Sequence, residues 1–163
     1  MGRYVDMLKK TVVNTTSPDG TVRVRLEASG MKPTLAPGAC DRHNETSLAE
    51  QLGAAMTAAR LGADTAVRLL AKKLDGHRRP EPDETDRVLD AKVATLESTA
   101  DFDHGQVTRQ GAAEVMVKLR PRTVGYVPPD DLVGQITDAL SRVDRQHTRR
   151  WLRMRRDVYL GDR

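Results

Sequence analysis

Thr11, Val12 and Val13 open a β-prone run, and beyond Ser17-Pro18-Asp19-Gly20 the chain alternates strictly. Val22, Val24 and Leu26 fall on one side; Arg23, Arg25 and Glu27 fall on the other. A period of two marks a strand with one buried face. Proline at the second turn position and glycine at the fourth suit a type I turn, so residues 10–16 and 21–28 are predicted to form a hairpin. Gly30 invites a second reversal, and a third strand over 31–36 must be an edge strand because Pro33 lacks a ladder donor. The period then changes. Leu48, Leu52, Ala55, Met56, Ala59, Ala63, Ala66, Val67, Leu70 and Leu74 repeat at helical spacing, and Asp75-Gly76 ends the run. Ser47-Leu48-Ala49-Glu50 reads as a capping box opening this helix. Its small residues (Ala55, Ala59, Gly62, Ala63, Ala66) allow a sheet or another helix to approach closely. The helix is expected to lie on its own hairpin and to serve in dimerisation.

The second half repeats this logic less clearly. Residues 77–84 are a polar, proline-broken linker. A helix from Thr85 or Asp86 carries Val88, Leu89, Val93 and Leu96. Residues 101–111 are polar and are expected to be irregular. Val115, Val117 and Leu119 alternate as one strand, and 123–127 is a further β-prone piece after Pro121-Arg122. Pro128-Pro129-Asp130-Asp131 opens a last helix, with proline in the first turn and acids at the positive end of the dipole. Its stripe is Val133, Ile136, Leu140, Val143, His147, Trp151, Met154 and Val158. The predicted class is therefore α+β, with small antiparallel sheets and long amphipathic helices. The predicted units are 1–76, preceded by a short helical lead-in over 4–9, and 85–163, joined by the linker. Their similar order raises a degenerate internal duplication as one reading.

Composition narrows the function classes. The chain has 163 residues, one cysteine and only 3% aromatics, so its core must be built from Leu, Val, Ala and Met. Cys40 alone forms no internal disulfide, no apolar run reaches the roughly 20 residues of a membrane span, and residues 1–10 lack a signal-peptide core. A cytoplasmic protein without membrane insertion is expected. Through Ile136 the 19 basic and 19 acidic residues cancel, so the net charge of +4 resides in 137–163. That segment holds Arg142, Arg145, Arg149, Arg150, Arg153, Arg155, Arg156 and Arg163 against four acids. Arginine is suited to forked contacts with phosphate. Arg142 through Arg156, extended by Arg23 and Arg25 on the outer strand face, are the candidate DNA-binding residues, competing with the plainer reading of a solvated helix face. Trp151 and Tyr159 lie among them; Trp151 falls on the apolar stripe and reads as core, while Tyr159 is open to base stacking.

Catalytic and metal chemistry find little purchase. Cys40, His43 and Glu45 have ligand-like spacing, but the second cysteine of a zinc site is missing and His77, His104 and His147 are scattered. The chain contains no phosphate-binding glycine loop and no His-Glu-x-x-His helix. Asp101, Asp103 and His104 read as turn-formers. Tyr126-Val-Pro-Pro-Asp130 matches a loose export-signal pattern, but helix initiation explains it. No cofactor, no metal and no enzymatic activity are expected.

The run from Thr11 through Ser17-Pro18-Asp19-Gly20-Thr21-Val22-Arg23-Val24 to Gly30, followed by the alanine- and leucine-rich helix, resembles the YbaB/EbfC family of nucleoid-associated proteins. The resemblance spans Thr11 to Leu74. It implies a small α+β fold, a homodimer joined through its sheets, and sequence-tolerant DNA binding. The same unit is similar to actinobacterial type VII secretion-associated Esp proteins, which implies an adaptor or chaperone-like role with a secretion-system protein as partner and no nucleic acid. The chain from Asp75 to Arg163 has no counterpart in the YbaB-like resemblance unless it is a second copy.

Overall fold

The computed structural model describes residues 9–75 and 82–161. The predicted lead-in helix and linker fall mostly outside them. Strands β1 (Val13–Thr16), β2 (Val22–Glu27) and β3 (Gly30–Leu35) form an antiparallel meander. Val24 stands opposite Thr15 on one side and Pro33 on the other, so Pro33 does sit on an edge strand. The Ser17–Gly20 turn is held by the Asp19 carboxylate, which accepts from the Ser17 hydroxyl at 2.7 Å and from the Thr21 N–H and hydroxyl at 3.0 and 2.7 Å. Its other oxygen lies 2.8 Å from His43 Nε2.

A short helix α1 (Ala39–Arg42) precedes the long helix α2 (Glu45–Asp75). The start of α2 differs from expectation. Asn44, not Ser47, caps it: the Asn44 side chain accepts from Ser47 N at 2.8 Å, and Ser47 Oγ accepts from Asn44 N at 3.1 Å. This is a capping box shifted one turn earlier than Ser47–Glu50. In the same first turn the Glu45 carboxylate accepts the backbone N–H groups of Thr123 and Val124 at 3.0 and 3.2 Å, tying the two halves of the chain together.

The second half holds helix α3 (Glu84–Ala94), strands β4 (Glu97–Phe102), β5 (Gly105–Gln110) and β6 (Glu114–Leu119), and helix α4 (Pro129–Leu160). Residues 101–111 are thus not irregular; they carry the end of β4 and all of β5. The inward positions of these two strands are Ser98, Ala100, Phe102, Gly105 and Val107, and the small or polar Ser98, Ala100 and Gly105 interrupt the hydropathy signal. Gly105 is required: a side chain there would meet the carbonyl oxygen of Lys118 and the Phe102 ring. The β-prone piece 123–127 is not a strand. Arg122 adopts a left-handed conformation (φ 65°) and the Thr123 hydroxyl caps Arg120 O at 2.7 Å, so the chain turns.

The two halves interlock. α2 packs on β1 and β2 of its own half, but most extensively on β6; α4 packs on β4 and β5, and also on β3. Thr57 Oγ1 accepts from Val115 N at 3.0 Å and donates to Val115 O at 3.3 Å, and Gly53 lets the β6 backbone reach the helix surface. The buried faces of the two long helices correspond position by position at one constant offset. Leu48 and Leu132, Leu52 and Ile136, Ala55 and Ala139, Met56 and Leu140, Ala59 and Val143 are such pairs, and all are buried in one core. Burying each large member contributes about 2 kcal/mol. Both halves therefore run strand, strand, strand, long helix, the order expected of a duplication. Burial within α2 stops at Ala59; Ala63, Ala66, Val67 and Leu70 are only partly covered.

Candidate nucleic-acid interface

Helix α4 presents its inner side as Leu132, Ile136, Ala139, Leu140, Val143 and His147. Leu132 takes the first place that the sequence pattern assigns to Val133, which is only partly buried. The adjacent side carries Arg142, Arg145, Gln146, Arg149, Arg150 and Arg153, which line a shallow groove of about 440 Å³. The helical period explains this grouping, since positions three, four, seven and eight apart share a face. Two of these arginines also serve the fold. Arg142 Nη2 donates to Asp101 O at 2.6 Å, and Arg150 donates to Glu97 O. Both carbonyls point outward from β4, an edge strand of the second sheet, where they would otherwise lack a donor. Arg145, Arg149 and Arg153 form no ion pair among the described residues. They succeed one another at four-residue steps, about 6 Å each along the axis.

The remaining candidates lie elsewhere. Arg155 stacks over Trp151 and Tyr159, 5.4 and 5.7 Å from the ring centroids, and the Tyr159 hydroxyl donates to Asp86 of α3 at 2.6 Å. Both aromatic rings thus face Arg155, Tyr159 also meets α3, and neither lines the groove. Trp151 is half-buried, not a core residue. Arg156 Nε lies 3.5 Å from Asp157. Arg23 and Arg25 are exposed on β2 as expected, but on the first sheet, and neither lines the groove. Arg25 is bound to Glu27 at 3.0 Å; Ser29, Arg25 and Lys32 together hold the Glu27 carboxyl down at about 2. The geometry therefore brings together five of the nine candidate arginines and separates the other four.

A second polar cluster was not legible in the sequence. Arg60 of α2 and Arg109 of β5 both bind Oδ1 of Asp144 on α4, the latter at 3.3 Å. Beside them His147 is 2% exposed, and its Nε2–H donates to Gly111 O at 2.9 Å. Burial and the neighbouring Arg109 push the His147 pKa down. Burial, aided by Arg60 and opposed by Asp144, lowers that of Arg109. Arg60 and Asp144 are 84 residues apart. That is the same offset that relates Leu48 to Leu132, so the two occupy corresponding positions of the two long helices and meet each other. This constant offset is the sequence signal that could have found the pair.

A groove of roughly 1030 Å³ lies between α2 and β6. Ala54, Ala58, Leu61 and Met116 give it an apolar surface, with Glu50 and Glu114 on its rim. Cys40, half-buried, and His43, bound to Asp19 and Ser47, belong to the packing around the first turn. Among the described residues, no helix is long and apolar enough to cross a membrane. Comparison with protein-family models, curated proteins and solved structures found no match to the chain.

Proposed function

We propose that this is a sequence-tolerant, nucleoid-associated DNA-binding protein of YbaB/EbfC type that works in the cytoplasm and is not an enzyme. The observation that carries this reading is the groove on α4, where five arginines converge and three of them, unlike Arg142 and Arg150, are not tied to a carbonyl of β4. Such a row can neutralise successive backbone phosphates, and released counterions then drive binding. No aromatic ring and no acceptor-rich side chain besides Gln146 lines it, so contacts fall on the backbone and carry little sequence information. The doubled strand-strand-strand-helix order supports the family resemblance. In this reading the two halves supply within one chain the pair of units that a homodimer would bring together. Retention of nuclease-treated protein on DNA, followed across a salt series, tests the proposal. Retention is expected to fall steeply with salt, and a flat response overturns it.

The apolar groove between α2 and β6 favours a second reading, an adaptor of the type VII secretion-associated kind that binds protein and no nucleic acid. That reading is supported if the chain ignores DNA at low salt and co-purifies with a stoichiometric protein partner.

A further inference from the structure

The molecule carries two unlike surfaces that match each other. The first is the groove between α2 and β6, lined by Ala54, Ala58, Leu61 and Met116. Glu45, Glu50 and Glu114 border it against a single cation, Lys118, leaving an excess of two negative charges. The second is the far end of α4. Beyond His147 no described residue of this helix is fully buried, and Leu152 and Leu160 are 52% and 66% exposed. They stand among Arg149, Arg153, Arg155 and Arg156, with Asp157 the one acid of the described part of that segment. Leu152 and Leu160 are two helical turns apart, about 12 Å. The α2 wall of the groove runs from Glu45 to Leu61, about 24 Å, so both leucines fit within it.

We propose that the groove between α2 and β6 receives the C-terminal turns of α4 from a second copy of this chain, placing Leu152 and Leu160 on its apolar surface and Arg155 and Arg156 against Glu50 and Glu114. The choice of occupant rests on charge. Pairing two such grooves face to face would set Glu45, Glu50 and Glu114 of one copy against those of the other, and like charges so juxtaposed oppose association. The helix end brings the opposite sign together with the apolar side chains. The contact joins different patches on the two copies, so it is heterologous, and each added chain offers one free groove and one free helix end. It requires no DNA and uses the side of α4 next to the cationic groove.

Sedimentation of the nuclease-treated full chain tests this. The wild type is expected to show a mass that rises with protein concentration and falls with added salt. L61E removes the groove and L152E removes the helix end; both residues are more than half exposed, so both variants keep the wild-type melting transition. Each alone is expected to be monomeric. Mixed in equal amounts they should form a dimer and nothing larger, because each retains the face that the other lacks. M116E should behave as L61E does. A wild type that stays monomeric up to its solubility limit overturns the proposal. So does a mixture of the two variants that remains monomeric, or a wild-type assembly that either substitution leaves intact. DNA retention by L61E is expected to equal that of the wild type, so loss of assembly and loss of DNA binding are read separately.

Discussion

Helices α2 and α4 do the same structural work with different outer surfaces. On the inner side each large hydrophobe of one has a hydrophobic counterpart in the other at the same constant offset, and the five leading pairs are all buried. On the outer side the six residues of the cationic groove correspond to Ala58, Leu61, Gly62, Thr65, Ala66 and Leu69, none of which is charged. Packing restricts the inner positions to apolar residues that fill the same space. Solvent imposes no such restriction on the outer ones, so that is where the halves diverge and where function is to be sought. The Arg60–Asp144 pair shows the same freedom near the centre. In a symmetric homodimer a residue on the two-fold axis meets its own copy, and Arg against Arg would repel. Within a single chain the two positions can carry opposite charges.

The edge strands differ in a related way. Pro33 of β3 and Val117 of β6 are counterparts at that same offset, each on an edge and each facing the long helix of the other half. Proline offers no N–H there. On β6, Thr57 satisfies both outward groups of Val115. The apolar groove lies beside this second edge, where α2 and β6 part.

The largest effect expected concerns DNA. Replacing Arg145, Arg149 and Arg153 together with glutamine should reduce retention at moderate salt by more than about tenfold and lower the slope of log affinity against log salt by about 3. Glutamine at the counterpart positions Leu61, Thr65 and Leu69 should change neither. Equal losses from both triples would erase the distinction between the outer faces.

The inner faces should instead respond alike. L52A and I136A are each expected to cost about 2–5 kcal/mol in urea unfolding, because both side chains are fully buried in the shared core. A single cooperative transition in both variants would reflect the interlocking of the halves; two separate transitions would contradict it.

Next in size is the central ion pair. D144A leaves Arg60 and Arg109 facing each other with no carboxylate between them. It should destabilise by about 3 kcal/mol, and further glutamine substitution of Arg109 should restore part of the loss. No restoration would mean that Asp144 acts on neither arginine.

The smallest effect is a pH dependence. The folded chain holds His147 below its ordinary value of 6.5, so the unfolded chain takes up the proton first. The contribution of this residue is complete above 6.5 and is lost as pH falls through the window beneath it. H147A, which places the residue of its counterpart Ala63 there, should flatten the stability curve in that window. An unchanged curve would remove His147 from the cause. The Asp19 carboxyl responds only at much lower pH: burial opposes its charge, but bonds from Thr21 and Ser17 and the nearby His43 outweigh that and hold it at about 2.

The hairpin, the proline edge and both long helices were legible because their residues alternate or repeat without interruption. β4 and β5 were not, because their inward positions include serine, alanine and glycine, chosen for closeness to a neighbouring backbone and not for hydrophobicity. The arginine-rich face was readable as a spacing on one helix. Which arginines remain free was not, since Arg142 and Arg150 turn toward carbonyls of β4, a strand far back in the chain. Arg23 and Arg25 show the converse error: an exposed arginine on the right kind of surface, placed on the other sheet.

Local pattern alone determined the period of most elements, the class of fold and the location of the excess positive charge, because strand and helix periodicities are written in adjacent residues. Tertiary structure alone decided that α2 lies most closely on β6, that counterpart positions of opposite charge meet near the centre, and that one outer face forms a cationic groove while an apolar one forms beside the other long helix. Those outcomes depend on which distant backbones pack against each other, and no short window of sequence contains both partners of such a contact.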